Sequence, residues 1–179
     1  CALPISKKKN WIGELILKKY AYCAHHIGIH FQAYHPQITT PIIRTEVRQL
    51  MPINGRSILV YLPAYSDENL LLFFQKFPEH HFIIFSKRKN ENQDIKNCTI
   101  VPISGDQFLK RMESCDGVLC GAGFETPAEA LYLGKKLFVI PMKGQYEQQC
   151  NAAALALLKI PSSSGIGASM EMKFRYWLL

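Results

Sequence analysis

The stretch CGAGFETPAEALYLGKKLFVIP, residues 120–141, sets the reading of the whole chain. It continues the apolar run GVLC, 117–120, into Gly121-Ala122-Gly123. It then passes Thr126-Pro127 into a helix-forming run and ends on the apolar KLFVIP, 136–141. The order is strand, glycine turn, sharply started helix, strand. Glycines permit a tight turn and close approach of the backbone. Thr126 is expected to cap the helix at its N-terminus, with Pro127 at its first position and Glu129 completing a T-x-x-E capping box. A helix start carries free N–H groups and the positive end of the dipole, both of which favour phosphate. The amides of Phe124, Glu125 and Thr126, with the Thr126 hydroxyl, form the candidate cradle. A capped helix in an ordinary α/β domain accounts for the same residues, with Gly121 and Gly123 merely turning the chain. Local chemistry leaves both open.

Two other motifs are excluded. G-A-G-F-E-T lacks the third glycine of a dinucleotide fingerprint and follows a late strand rather than the first. Val118 stands where a nucleophile elbow needs its first glycine, so Cys120 is not expected to be a nucleophile.

Outward from this stretch, strands and helices alternate over residues 57–158. The strands are SILVYLP, HFIIFS, CTIVPI, GVLC and KLFVIP. The helices start at Ser66, at Ser104 and near Pro127, and the last covers 146–158; KRKNENQD reads as a charged loop. Continuous apolar strands joined by helical crossovers imply an α/β fold with a parallel sheet covered on both faces. In such sheets ligands sit beyond the carboxyl ends of the strands, where the 120–129 stretch falls. Upstream, residues 10–21 have helical spacing and 26–31 reads as a strand. HPQITTPIIR has linker composition. The tail, PSSSGIGASMEMKFRYWLL, loses the alternation and is expected to be irregular over 161–179.

The 179 residues are 48% hydrophobic and 20% charged, a globular composition, and no apolar run approaches the ~20 residues of a membrane helix. The net charge of +7 suits anionic partners. Lys7-Lys8-Lys9 and Lys18-Lys19 flank the amphipathic NWIGELIL, which a solvated helix explains and a membrane surface also fits. Six cysteines without a C-x-x-C pair read as reduced, packed thiols of a cytoplasmic protein. His25, His26, His30 and His35 lack partners at zinc spacing, so no metal site is expected. The chain opens on Cys rather than Met and is expected to be a piece of a longer product.

The pattern from Gly121 to Ala152 resembles the donor-binding segment of GT-B-fold glycosyltransferases. It is similar to the bacterial peptidoglycan GlcNAc-transferase family and to the UDP-glucuronosyltransferase type. Gly123, Thr126, Glu129-Ala130, Gly134, Pro141, Gln148 and Asn151-Ala152 fall on that pattern. The resemblance implies a Rossmann-like domain, one half of a GT-B fold, that binds a nucleotide-diphosphate sugar, UDP-linked in these relatives. It implies that Glu129 accepts ribose hydroxyls and that Glu147 and Gln148 bind donor-sugar hydroxyls, with Gln149 as the alternate. Substrate-binding residues are thus expected at Gly121, Gly123, Phe124, Glu125, Thr126, Glu129, Glu147, Gln148 and Gln149. One departure stands out: the relatives carry His or Arg, able to meet the diphosphate, where this chain has Gly121.

The domain reading that follows has the end of an amino-terminal domain over 1–40 and an interdomain linker over 41–54. The nucleotide-sugar-binding domain covers 55–160, and the tail follows. The acceptor site and general base belong to the other half, so no catalytic residue is assigned and the chain by itself is expected to be inactive. The expected activity is transfer of a hexosyl group to an acceptor of unknown identity, a lipid-linked one among the options. No cofactor and no nucleic-acid partner are expected, and peripheral membrane contact remains an alternative. A non-catalytic nucleotide-sugar-binding module, an inactive fragment and a UDP-sugar 2-epimerase of the same fold are the competing readings.

Overall fold

A computed structural model describes residues 11–20 and 27–179. Cys1, Lys7-Lys8-Lys9, Cys23, His25, His26 and the first residue of the strand expected at 26–31 lie outside the described residues. The upstream part holds α1 (Trp11–Tyr20), two short parallel strands β1 (Gly28–Ile29) and β2 (Ile38–Thr39), and the single-turn α2 (Thr45–Arg48).

The main body alternates as the apolar runs require. It contains β3 (Ser57–Tyr61), α3 (Asp67–Phe74), β4 (His81–Ser86), β5 (Gln93–Ile95), β6 (Cys98–Pro102), α4 (Gly105–Ser114), β7 (Gly117–Gly121), α5 (Glu125–Tyr132), β8 (Lys136–Ile140), α6 (Tyr146–Leu157) and α7 (Ala168–Leu178). Six strands form one sheet in the order β5-β6-β4-β3-β7-β8, all parallel except β5, which runs antiparallel to β6. The sheet is buried on both sides. Leu59, Ile83, Val101, Val118 and Val139 face one core with Met112, Ala130 and Leu155. Ile58, Val60, Phe82, Ile84, Leu119 and Phe138 face the other with Phe73, Phe74, Phe77 and Phe174. This double burial explains why the strands read as unbroken apolar runs.

Three expectations change. β5 overlaps the end of the charged stretch KRKNENQD taken for a loop. It is a short, polar edge strand, a kind that carries almost no apolar alternation. The tail is not irregular. Pro161 and Ser163 hydrogen-bond to the backbone of Val139 beside β8, and α7 then lies across the sheet. Its Met170, Phe174 and Leu178, four residues apart, are buried, and the Phe174 ring sits 5.3–6.2 Å from Phe74, Phe77, Phe82, Phe138 and Trp177. Met172 and Tyr176 on the outer side of the same helix are exposed and hide that stripe in the sequence.

Residues 41–54 are also more than a linker. Val47 is fully buried in the core. The Ile53 N–H bonds the Glu113 carbonyl at 3.0 Å, and the Met51 N–H bonds the Glu113 carboxylate at 2.8 Å. Lys135, 7% exposed, spends its three donors on the carbonyls of Ile53, Glu113 and Cys115 at 2.7–2.8 Å. Gly55 is required where it stands, because a Cβ there would lie 1.7 Å from the Ser114 carbonyl oxygen. From Arg44 onward this segment is a strap bolted to the α/β domain.

If α7 is part of the core, Phe174→Ala lowers the unfolding free energy by about 3–5 kcal/mol in a urea titration. A loss under ~1 kcal/mol would make the tail peripheral.

Candidate functional site

β3 is flanked by β4, the next strand in sequence, and by β7, which comes four strands after β3. The chain therefore reverses its direction of sheet growth between β3 and β7. In α/β sheets such a reversal is where the loops leaving the two strands diverge and where ligands bind, beyond the carboxyl ends. The loop leaving β7 is Ala122-Gly123-Phe124, and it delivers α5. The glycine stretch singled out in the sequence thus lies at the topological switch point.

The start of α5 differs from the capping-box expectation. Phe124 occupies the cap position, Glu125 begins the helix, and no side chain caps it. Thr126 and Pro127 are the second and third helical residues. Pro is accepted there because the whole first turn has no intrahelical partners for its N–H groups. The proline marks the first turn, not its first residue. Neither Gly121 nor Gly123 has a positive φ, and a Cβ on Gly123 would meet nothing within 4 Å. The fold does not need glycine at 123 to turn the chain; the residue leaves open space beside an uncapped helix start.

Glu129 is not a cap either. Its carboxylate, 2% exposed, is gripped side-on by Arg44, 85 residues away in sequence: Nε donates to Oε1 at 2.6 Å and Nη2 to Oε2 at 2.9 Å. The Arg44 side chain is 46% exposed, and its Nε also lies 3.4 Å from Oε1 of Glu125. The hydrogen bond to Glu129, reinforced by the charges of Glu129 and Glu125, holds the guanidinium pKa above its ordinary value. Arg44 was absent from the sequence-derived residues. Its signal was only the last position of PIIR, and nothing local ties that position to α5.

The α6 residues approach the same turn from the other side. The Gln148 amide oxygen lies 3.5 Å from where a Gly121 Cβ would be and accepts the Met142 N–H at 2.9 Å; its Nε2 donates to Gln145 at 2.7 Å. Gln148 and Gly121 are therefore neighbours. Asn151 is buried and donates from Nδ2 to the Ala122 carbonyl at 3.1 Å and to the Glu147 carboxylate at 3.4 Å. It pins the glycine turn, and it holds exposed Glu147 at the turn's edge. Gln149, the alternate, is exposed, with no side-chain bond to a described residue. Gly134 belongs to the fold: with φ +66 it ends α5, its N–H on Leu131 and that of Lys135 on Ala130.

The upstream segment reaches the turn as well. The Phe31 ring packs 4.9 Å from that of Phe124, and His30 beside it is 6% exposed. His30 Nδ1 accepts the Gln32 N–H, which places the ring proton on Nε2, where no described residue accepts it. Cys120 is buried in the sheet, and desolvation pushes its thiol pKa far up, the opposite of what a nucleophile needs. Among the described residues no three His, Cys, Asp or Glu side chains are grouped to hold a metal ion. No described helix is long and apolar enough to cross a membrane.

This geometry separates two substitutions. Thr126→Ala shifts stability by less than about 0.5 kcal/mol, because no cap is lost. Glu129→Gln lowers it by about 1–2 kcal/mol, a figure reduced from that of a fully buried pair because Arg44 is half-exposed. Chemical denaturation of the two variants checks the order, and the reverse order would restore the capping box.

A sequence profile described as "Glycosyl transferase family 1" matches residues 16–171. Among solved structures the chain is similar to the glycosyltransferase SnogD from Streptomyces nogalater, at 17% identity over 85% of this chain and 45% of that one, with a TM-score of 0.47. It is also similar to the glycotransferase of kitacinnamycin, at 16% identity over 79% of this chain and 40% of that one, with a TM-score of 0.55. The chain spans less than half the length of either structure, and the second likeness shows a shared fold, with this sheet as one Rossmann-like half of GT-B. No curated protein sequence matches it. On the profile match across most of its length, the chain belongs to glycosyl transferase family 1.

Proposed function

We propose that this chain is the donor-binding half of a glycosyltransferase that uses a nucleotide-diphosphate sugar, UDP-linked, as donor. The observation that carries the reading is the uncapped start of α5, which opens onto clear space at Gly123 at the switch point of the sheet. A diphosphate there would accept hydrogen bonds from the first amides of the helix, favoured by the helix dipole. Glu129, one turn further on, would accept the ribose hydroxyls. Gln148 and Glu147, which border the turn through Gly121 and Asn151, would meet the hydroxyls of a hexose. Cationic help at position 121 is missing, so the backbone amides carry more of the diphosphate than a His or Arg there would leave to them.

The donor half binds and orients the nucleotide sugar. In the proposed transferase the acceptor and the base that deprotonates it come from a second domain facing this crevice, so the 179-residue chain binds donor without transferring sugar.

Calorimetric titration of the chain with UDP, UDP-GlcNAc and UDP-glucose is expected to give saturable binding to at least one. Absence of heat and of any thermal shift at millimolar ligand would remove the donor site. Gly123→Ala separates site from scaffold. Its new methyl group meets no protein atom, so the melting temperature is unchanged, while UDP affinity falls about tenfold, or ~1.4 kcal/mol. Unaltered UDP binding in this variant would place the diphosphate elsewhere.

A further inference from the structure

Glu129 stands where the ribose acceptor is proposed, yet its carboxylate is covered. Arg44 forms the cover, and it has the room to move: Glu129 lies on a buried helix face, while the Arg44 side chain is half-exposed. Ribose hydroxyls therefore reach Glu129 only when Arg44 moves aside. The backbone of Arg44 cannot travel far, because the strap behind it is anchored through Val47, Glu113 and Lys135. What moves is the guanidinium.

Charge decides where it goes. Glu125 and Glu129 place two carboxylates on the first and second turns of α5, and Arg44 is the one cation within ion-pair distance of either among the described residues. A diphosphate arriving at those first amides brings further negative charge into the same few ångströms. The Arg44 guanidinium already lies beside Glu125, the first residue of the helix, and no described residue bonds its Nη1. Its planar fork matches phosphate oxygens as well as it matches a carboxylate.

Resting on the donor-site reading above, we propose that Arg44 exchanges partners when the nucleotide binds. The ribose hydroxyls replace the guanidinium on Glu129, and the guanidinium turns to the diphosphate, supplying the cation absent at Gly121. Arg44 is then a donor-binding residue provided by the strap, and it couples the hinge side of the domain to occupancy of the site.

A double-mutant cycle read with two probes tests this: UDP, and uridine, which has the ribose and no phosphate. The proteins are the unaltered chain, Glu129→Gln, Arg44→Met, Arg44→Lys and the pair Arg44→Met with Glu129→Gln. The pair removes both charges together, so it folds even if Arg44→Met alone, with its uncompensated Glu129, does not. Relative to Glu129→Gln, the pair is expected to bind UDP about tenfold more weakly, the loss of one charge-assisted hydrogen bond, with uridine affinity unchanged. Arg44→Lys, which retains the charge but not the planar fork, is expected to bind UDP several-fold more weakly than the unaltered chain, with uridine affinity unchanged. An equal loss for uridine and UDP would show that Arg44 acts by shaping the site, and no further loss in the pair would show that it only partners Glu129; either overturns the exchange while leaving the donor site standing. If the unaltered chain binds no UDP, or Glu129→Gln changes neither ligand, the donor-site reading itself fails and the exchange with it.

Discussion

A parallel sheet whose strands are apolar on both sides must be covered on both sides, and the rest of this molecule follows from that requirement. One face is closed by helices α4, α5 and α6 together with the strap that carries Val47. The other is closed by α3 and by α7, whose Phe174 ring fills the space between Phe73, Phe74, Phe77, Phe82 and Phe138. Both closures come partly from segments outside the strand–helix alternation. Neither strap nor tail is an appendage; without them, several large rings and a core valine would face water, each at about 1.5–3 kcal/mol.

The same requirement leaves the carboxyl edge of the sheet open. Helices pack along the faces, so only loops cross the edge, and at the β3–β7 reversal they part. α5 starts there without a side-chain cap, because Phe124 holds the cap position and Thr126 lies inside the helix. Asn151 spends its amide on the Ala122 carbonyl, so the turn before the helix is held rigid while the helix amides are left to other partners. In the proposed reading, a diphosphate would meet these amides with little further ordering of the turn.

Electrostatics in the crevice are more finely balanced than the overall +7 suggests. Close to α5 the local charge is two carboxylates against one guanidinium, and that guanidinium comes from a distant part of the chain. Bringing Arg44 and Glu129 together requires the strap to lie along the domain, which the Lys135 ammonium enforces by collecting carbonyls from the strap, from α4 and from the residue after it. A buried ammonium thus fixes the path of the backbone, and the path places the exposed cation.

Much of this was written in local pattern. Continuous apolar runs and helical spacing are short-range signals, so strands β3, β4, β6, β7 and β8 and the helices between them were legible, as was the glycine turn after GVLC. The resemblance singled out Glu129 as well, but not its surroundings. The elements that escaped did so for physical reasons. β5 is a polar edge strand stabilised by its neighbour's backbone; α7 carries apolar Met172 and Tyr176 on its exposed side as well as its buried stripe; and α5 begins earlier than its proline suggested because the entire first turn tolerates proline. The Arg44–Glu129 pair could not be read at all. It joins residues 85 apart, and only the strand order of the folded sheet and the anchored strap decide that they meet. Sequence determined which elements form, because hydrogen bonding and side-chain period act over a few residues; tertiary structure decided which charges face each other, because that depends on how the whole sheet is covered.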